Sequence, residues 1–189
     1  MTNGNLRGQA DRDLSQELAT ETVLVYTVRI HFSDLRKVIM TSSHRVHFFH
    51  LIWSTKGRKD LILPKMQEEL YAYIGGVVRK CKGSLLEIGG IANHLHLLVE
   101  LSNLDHFTAL IRNTKTASSA WLKEAFLECG SFAWQDGYGS FSVSTSQIEH
   151  VREYIRTQEH HHKKISFEEE YVKLLTLNRV NFDDRYLFD

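Results

Sequence analysis

The chain has 189 residues, 42% apolar and 11% aromatic, with 23 basic groups balancing 23 acidic ones. That is one domain with room for appendages, globular in composition, and its zero net charge alone argues neither for nor against a nucleic-acid partner. No apolar run reaches the roughly 18 residues of a membrane span, the N-terminus lacks an apolar signal region, and Cys81 and Cys129 have no paired spacing, so free thiols in a cytoplasmic protein are expected.

Charge is unevenly distributed. Residues 1–39 carry five basic and five acidic groups, residues 40–165 carry fifteen against twelve, and residues 166–189 carry three against six. A mildly basic centre before an acidic tail is compatible with a phosphate-binding face.

Residues 1–22 are polar and without periodicity, the pattern of a disordered segment. Val23–Phe32 is dense in β-branched and aromatic residues and reads as a strand that the rest of the pattern does not place. Val46–Ser54 (VHFFHLIWS) is a strand, closed by a turn at Lys56–Asp60. Leu63-Pro64 opens a helix on which Met66, Leu70, Ile74, Val77 and Cys81 share a face, and Lys82-Gly83 stops it. Ser84–Ile91 forms a hairpin with Asn93–Leu101 through a short turn at Ala92-Asn93.

Ser102 or Asn103 caps the next helix, whose buried side is Phe107, Leu110, Ile111, Thr114, Trp121, Leu122 and Phe126. Tyr138–Ser144 alternates as a fourth strand. Ser146 to Glu149 has capping-box spacing and opens a helix with Ile148, Val151 and Ile155 on its apolar stripe. Ser166 to Glu169 repeats that spacing before a shorter helix with Phe167, Tyr171, Leu174 and Leu175. From residue 46 the order is strand, helix, strand, strand, helix, strand, helix. Its first six elements give the split βαβ pattern of an α+β, ferredoxin-like sandwich: an antiparallel four-stranded sheet with helices on one face and a further C-terminal helix. The domain reading is 1–39 as a poorly ordered appendage, 40–165 as the working domain and 166–189 as a helical tail.

Chemistry concentrates in Asn93–Leu101, NHLHLLVEL. Side chains alternate along a strand, so His94, His96, Leu98 and Glu100 share one side while Leu95, Leu97, Val99 and Leu101 pack into a core. The two imidazoles then point the same way, roughly 7 Å apart at the backbone, close enough to converge on one metal ion. Further on, Tyr154 and Gln158 lie one helical turn apart on one face. A phenol can form a covalent intermediate, and an amide oxygen complements imidazoles on a divalent cation. His160-His161-His162 diverge by about 100° per residue, so the three cannot meet on one ion, and a solvated helix end is the preferred reading.

Together the FHLIWSTKGRK stretch, the LLEIGGIANHLHLLVEL hairpin, the WQDGYGSFSVS strand and the YIRTQEHH helix resemble the single-tyrosine HUH transposases of insertion sequence 200/605 type, over residues 40–189. The resemblance implies that His94 and His96 are metal ligands, that Gln158 is the third protein ligand, and that Tyr154 is the nucleophile. It implies Mg²⁺ or Mn²⁺ as cofactor and single-stranded DNA with hairpins as partner. It also implies strand cutting and rejoining through a 5′-phosphotyrosine, and a homodimer in which the nucleophile helix can serve the partner's site. A phenol must lose its proton to attack, and no general base is evident, His150 being better suited to the surface.

Contacts to DNA are expected from Lys56, Arg58 and Lys59, from Arg112 and Lys115, and more weakly from Arg79, Lys80 and Lys82. Trp53, Phe141 or Tyr138 could stack on bases, with core packing the better reading for the first two. Two rival functions are open: a domesticated hairpin binder that no longer moves DNA, and a metal-dependent phosphohydrolase. The second is weakened by Leu98, where a third alternating histidine would stand. Met40 also has the position of a start, which would make residues 1–39 dispensable.

Overall fold

The computed structural model describes residues 44–183 and 185–188, and the elements below belong to one compact unit, Arg45–Asp189. The expectations for residues 1–39, including the Val23–Phe32 strand and a start at Met40, lie outside the described residues. The elements are β1 (His47–Ser54), α1 (Pro64–Lys80), β2 (Gly83–Ile91), β3 (His94–Leu101), α2 (Phe107–Ala125) and β4 (Gly139–Val143). Three helices follow: α3 (Ile148–Arg156), α4 (Gln158–His161) and α5 (Phe167–Leu177). The sheet order is β2-β3-β1-β4 with every pairing antiparallel, the split βαβ arrangement.

Strand alternation gives this sheet two unlike faces. On one, β1 and β3 pair Phe49 with Val99, Leu51 with Leu97 and Trp53 with Leu95. Met66, Leu70, Ile74 and Val78 of α1 and Leu110, Ile111 and Leu122 of α2 cover them in a continuous hydrocarbon core. The α1 row is a uniform four-residue repeat, so Val78 enters the core while Val77 and Cys81, expected there, stay partly exposed. Trp53 and Phe141 are both buried, which leaves Tyr138, 40% exposed, as the aromatic of the three still open to a base.

The other face pairs His50 with Leu98, Ile52 with His96 and Ser54 with His94. Helices α3, α4 and α5 roof it. Phe167, Tyr171 and Leu175 of α5 pack on Ile52 and Phe141 in a second, smaller apolar cluster. Gly89 of β2 is what allows α3 to approach, because a Cβ there would stand 2.3 Å from the Ile155 carbonyl oxygen. No helix of the described residues is long and apolar enough to cross a membrane.

The helix starts follow their caps. Asn103 Oδ1 accepts the Asp105 N–H at 3.0 Å. The Ser166 box closes in both directions: Ser166 Oγ accepts the Glu169 N–H at 3.2 Å and Glu169 Oε2 accepts the Ser166 N–H at 2.8 Å. The box expected at Ser146 does not form. A 3₁₀ turn over Thr145–Gln147 draws Ser146 into the helical run, where its hydroxyl meets Ser144 Oγ at 3.1 Å and does not cap α3.

Candidate active site

His94 and His96 rise from β3 on the face roofed by α3–α5, fully buried, their ring centroids 5.0 Å apart. The helix expected to run through Tyr154 and Gln158 breaks after Arg156, where the Thr157 hydroxyl donates to the Glu153 carbonyl at 2.9 Å. Gln158 therefore opens α4. The two side chains still share a row: the Tyr154 ring lies 6.0 Å from those of His50 and His96, and Gln158 Oε1 lies 3.3 Å from His94 Nε2. The structure thus brings His94, His96, Tyr154 and Gln158 of a single chain into one cluster.

Three further residues complete it. Glu170 of α5, 1% exposed, is its centre. Its Oε1 accepts from the Tyr154 hydroxyl and, at 3.0 Å, from Gln158 Nε2. Its Oε2 lies 3.1 Å from His162 Nε2, 3.3 Å from His96 Nε2 and 3.7 Å from His94 Nε2. His162 is a correction to the solvated reading of the histidine run. Its side chain is 4% exposed, against 28% for His161, while His160 is exposed. The Tyr154, Gln158, His162 spacing continues one i, i+4 row past the end of α4, which carries His162 inward. His50 of β1 is the third addition, with its Nε2 2.9 Å from His96 Nδ1.

Each of the three imidazoles around Glu170 is held at its outer nitrogen. His94 Nδ1 lies 2.8 Å from Asn93 Oδ1, and His162 Nδ1 lies 3.0 Å from the Ile165 carbonyl. Both oxygens only accept, so both Nδ1 atoms carry the hydrogen. In their neutral forms His94 and His162 then turn an Nε2 lone pair inward, as metal-ligating histidines do, and His96 does the same where its Nδ1 donates to His50. His96 Nε2 is buried without a hydrogen-bond partner. One ligand atom from each of His94, His96, His162 and Glu170 lies within 4.8 Å of the others. Lone pairs converging on a carboxylate repel one another unless a cation lies among them, so these residues fit a divalent ion.

Burial, and then the neighbouring His96, pushes His50 down to about 3 and His94 well below the imidazole range. Burial opposes ionisation of Glu170, yet hydrogen bonding from His162 and the contact with His96 hold its carboxyl well below the carboxylate range. Burial and then the Glu170 charge raise the Tyr154 phenol, which keeps its proton in the resting site. Burial lowers His162, but its hydrogen bond to Glu170, the Glu170 charge and the hydrogen bond to the Ile165 carbonyl together outweigh that, and the net direction is up.

The basic residues divide into two groups. Lys56, Lys59 and Arg112 are exposed. Lys115 is engaged within the chain, donating to the carbonyls of Gln135, Asp136 and Gly137 at 2.7, 2.9 and 2.9 Å. To meet a phosphate it would have to leave that loop. Arg58 pairs with Glu168 at 2.7 Å, donates to the Phe188 carbonyl at 2.7 Å and lies over the Phe188 ring. Arg112 and Lys115 also line a surface groove of about 640 Å³ with Lys123, Trp134 and Tyr138.

The fold is shared with two solved structures. One is a Deinococcus radiodurans protein described as a transposase, 21% identical, covering 61% of this chain and 93% of that one with a TM-score of 0.50. The other is a REP-associated tyrosine transposase bound to a REP hairpin, 17% identical, covering 65% of this chain and 73% of that one with a TM-score of 0.50. No curated protein matches the chain. The profile of the family described as "Transposase IS200 like" matches residues 43–158, more than half of the sequence and every residue from β1 to Gln158. The protein belongs to the IS200-like transposase family of DNA strand-transfer enzymes.

Proposed function

We propose that the protein is a metal-dependent single-stranded DNA transposase that nicks and rejoins hairpin-bearing ends through a 5′-phosphotyrosine on Tyr154. The observation that carries this reading is the placement of the Tyr154 phenol in the same buried cluster as His94, His96 and Gln158. His94, His96 and Gln158 would hold the ion, Mg²⁺ or Mn²⁺, which when bound supplies charge stabilisation to the scissile phosphodiester.

The chain's own groups do the rest. The Tyr154 oxygen attacks phosphorus, the P–O3′ bond breaks, and the departing oxygen takes a proton to become a free 3′-hydroxyl. The proton leaving Tyr154 has a receiver, because Glu170 Oε1 already accepts its hydroxyl hydrogen bond. The phosphotyrosine keeps the energy of the broken ester, so a second DNA hydroxyl can reverse the step without a nucleotide cofactor. Exposed Lys56, Lys59 and Arg112 would contribute sequence-independent phosphate contacts. Support for a hairpin as partner comes from the structural relative bound to a REP hairpin. Dimer formation rests on the family resemblance, with Tyr154 here beside its own chain's histidines.

The test is cleavage of labelled single-stranded DNA from the regions flanking the gene, with Mg²⁺ or Mn²⁺, comparing wild type and Tyr154→Phe. A covalent 5′-linked adduct that vanishes in the variant is the expected result. Hairpin binding with no adduct on any flank or metal would favour a domesticated binder. Cleavage that survives in Tyr154→Phe would remove Tyr154 from the mechanism.

A further inference from the structure

We propose that His162 and Glu170 are inner ligands of the same divalent ion as His94 and His96, that this nitrogen-rich set favours a transition ion over Mg²⁺, and that the bound ion fastens α5 to the sheet. The inference deepens the reading above and rests on it, since both concern one site. His162 and Glu170 lie beyond the 43–158 segment that matches the family.

Spacing is the first argument. Two ligands each about 2.1 Å from one ion stand about 3.0 Å apart at a right angle and about 3.4 Å apart at the tetrahedral angle. Glu170 Oε2 is 3.1, 3.3 and 3.7 Å from the Nε2 atoms of His162, His96 and His94. These are the separations of groups sharing an ion. Of these three contacts only His162 Nε2–Glu170 Oε2 is a hydrogen bond, and it needs a doubly protonated ring, because the Nδ1 hydrogen of His162 faces Ile165. His162 and His94 have their hydrogens on Nδ1, facing Ile165 and Asn93. His96 Nε2 is buried with no hydrogen-bond partner.

The donor types carry the second argument. Mg²⁺ prefers oxygen and keeps most of its waters, whereas three imidazoles and a carboxylate suit Mn²⁺ and, more strongly, Zn²⁺. Gln158 Oε1, 3.3 Å from His94 Nε2, adds an oxygen at the rim of the same set.

The third argument is the way α5 is held. Its apolar contacts with the sheet are those of Phe167, Tyr171 and Leu175, with the Arg58–Glu168 pair at its first turn. A ligand bridge from β3 to Glu170 ties this helix to the strand that carries the histidines, and an ion that binds only the folded chain stabilises it in proportion to its occupancy. Glu170 keeps its other oxygen on the Tyr154 hydroxyl, so one carboxylate positions the nucleophile beside the ion.

Calorimetric titration of the full-length, metal-free protein with Mg²⁺, Mn²⁺ and Zn²⁺ tests this, together with hydrogen exchange of α5 amides. Affinity is expected to rise in that order. Glu170→Gln and His162→Ala should each weaken Mn²⁺ binding by about tenfold or more. Mn²⁺ should slow exchange in α5 of the wild type and leave it unchanged in Glu170→Gln. Melting of the metal-free variants checks their folding, and His162→Ala, which leaves the Glu170 contacts with Tyr154 and Gln158 in place, decides the matter should Glu170→Gln unfold. Wild-type affinity in both variants, with binding lost in His94→Ala, would overturn the extended site and leave the three-ligand reading standing. Mg²⁺ binding as tight as Zn²⁺ would overturn the proposed selectivity. Failure of the wild type to bind any of the three ions would overturn both readings.

Discussion

The two faces of one sheet have been put to opposite uses. Against α1 and α2 the strands present Phe49, Leu51, Trp53, Leu95, Leu97 and Val99, an apolar core that also encloses the Trp53 Nε1 atom. Against α3–α5 the same strands present His50, His94 and His96, closed over by Tyr154, Gln158, His162 and Glu170. The first face stabilises by removing apolar surface from water. The second buries titratable groups, which costs free energy unless each finds a partner. The comparison shows that strand alternation alone can separate stability from chemistry across the thickness of one sheet.

Substitutions can break that separation, and the largest effect belongs to the apolar face. Leu97→Ala, at a fully buried site, should lose about 2–5 kcal/mol in denaturant unfolding while adduct yield per folded molecule holds. Gly89→Ala is next, because its Cβ would push on the Ile155 carbonyl at 2.3 Å. It should lose about 1–3 kcal/mol, and adduct formation should fall further than folding does, since α3 carries Tyr154.

Acid sharpens the contrast on the polar face. An unfolded histidine takes its proton near pH 6.5, while folded His50 resists until about 3. The unfolded state binds more protons between those values, so stability is complete above about pH 6.5 and is lost as pH falls toward 3. The contribution is on the order of 1 kcal/mol per pH unit, and the depressed Glu170 acts in the same direction. Melting temperatures from pH 7 to pH 5 should fall, and less steeply in His50→Asn. The smallest effects belong to the basic residues. Arg112→Ala should weaken single-stranded DNA binding for all sequences and lower the salt slope by about one. Lys115→Met should leave that slope unchanged and cost about 1 kcal/mol of stability through its loop.

The elements and the H-x-H face were legible because their signals are local periods, two along a strand and 3.6 along a helix. Glu170 was harder to read. In Glu168-Glu169-Glu170 it looks like one of three acids suited to a helix start. Its distinguishing signal is position, since it falls on the stripe of Phe167, Tyr171 and Leu175, where an acid has to face the interior. His162 is masked by its place in a run of three histidines, and its signal is the four-residue step that leads to it from Tyr154 and Gln158. His50 needed the pairing register of β1 with β3, which brings it against His96, 46 residues away in the chain. No local pattern encodes that register.

The position of α5 also sets a schedule. A chain is made from its N-terminus, and β3 with both its histidines leaves the ribosome well before residue 170. A nascent chain that has emerged only as far as Gln158 already shows every residue the family profile matches. At that stage the Tyr154 hydroxyl has no acceptor and the histidines have no carboxylate among them. The cluster closes as α5 docks, so the complete site waits for residue 170 to emerge.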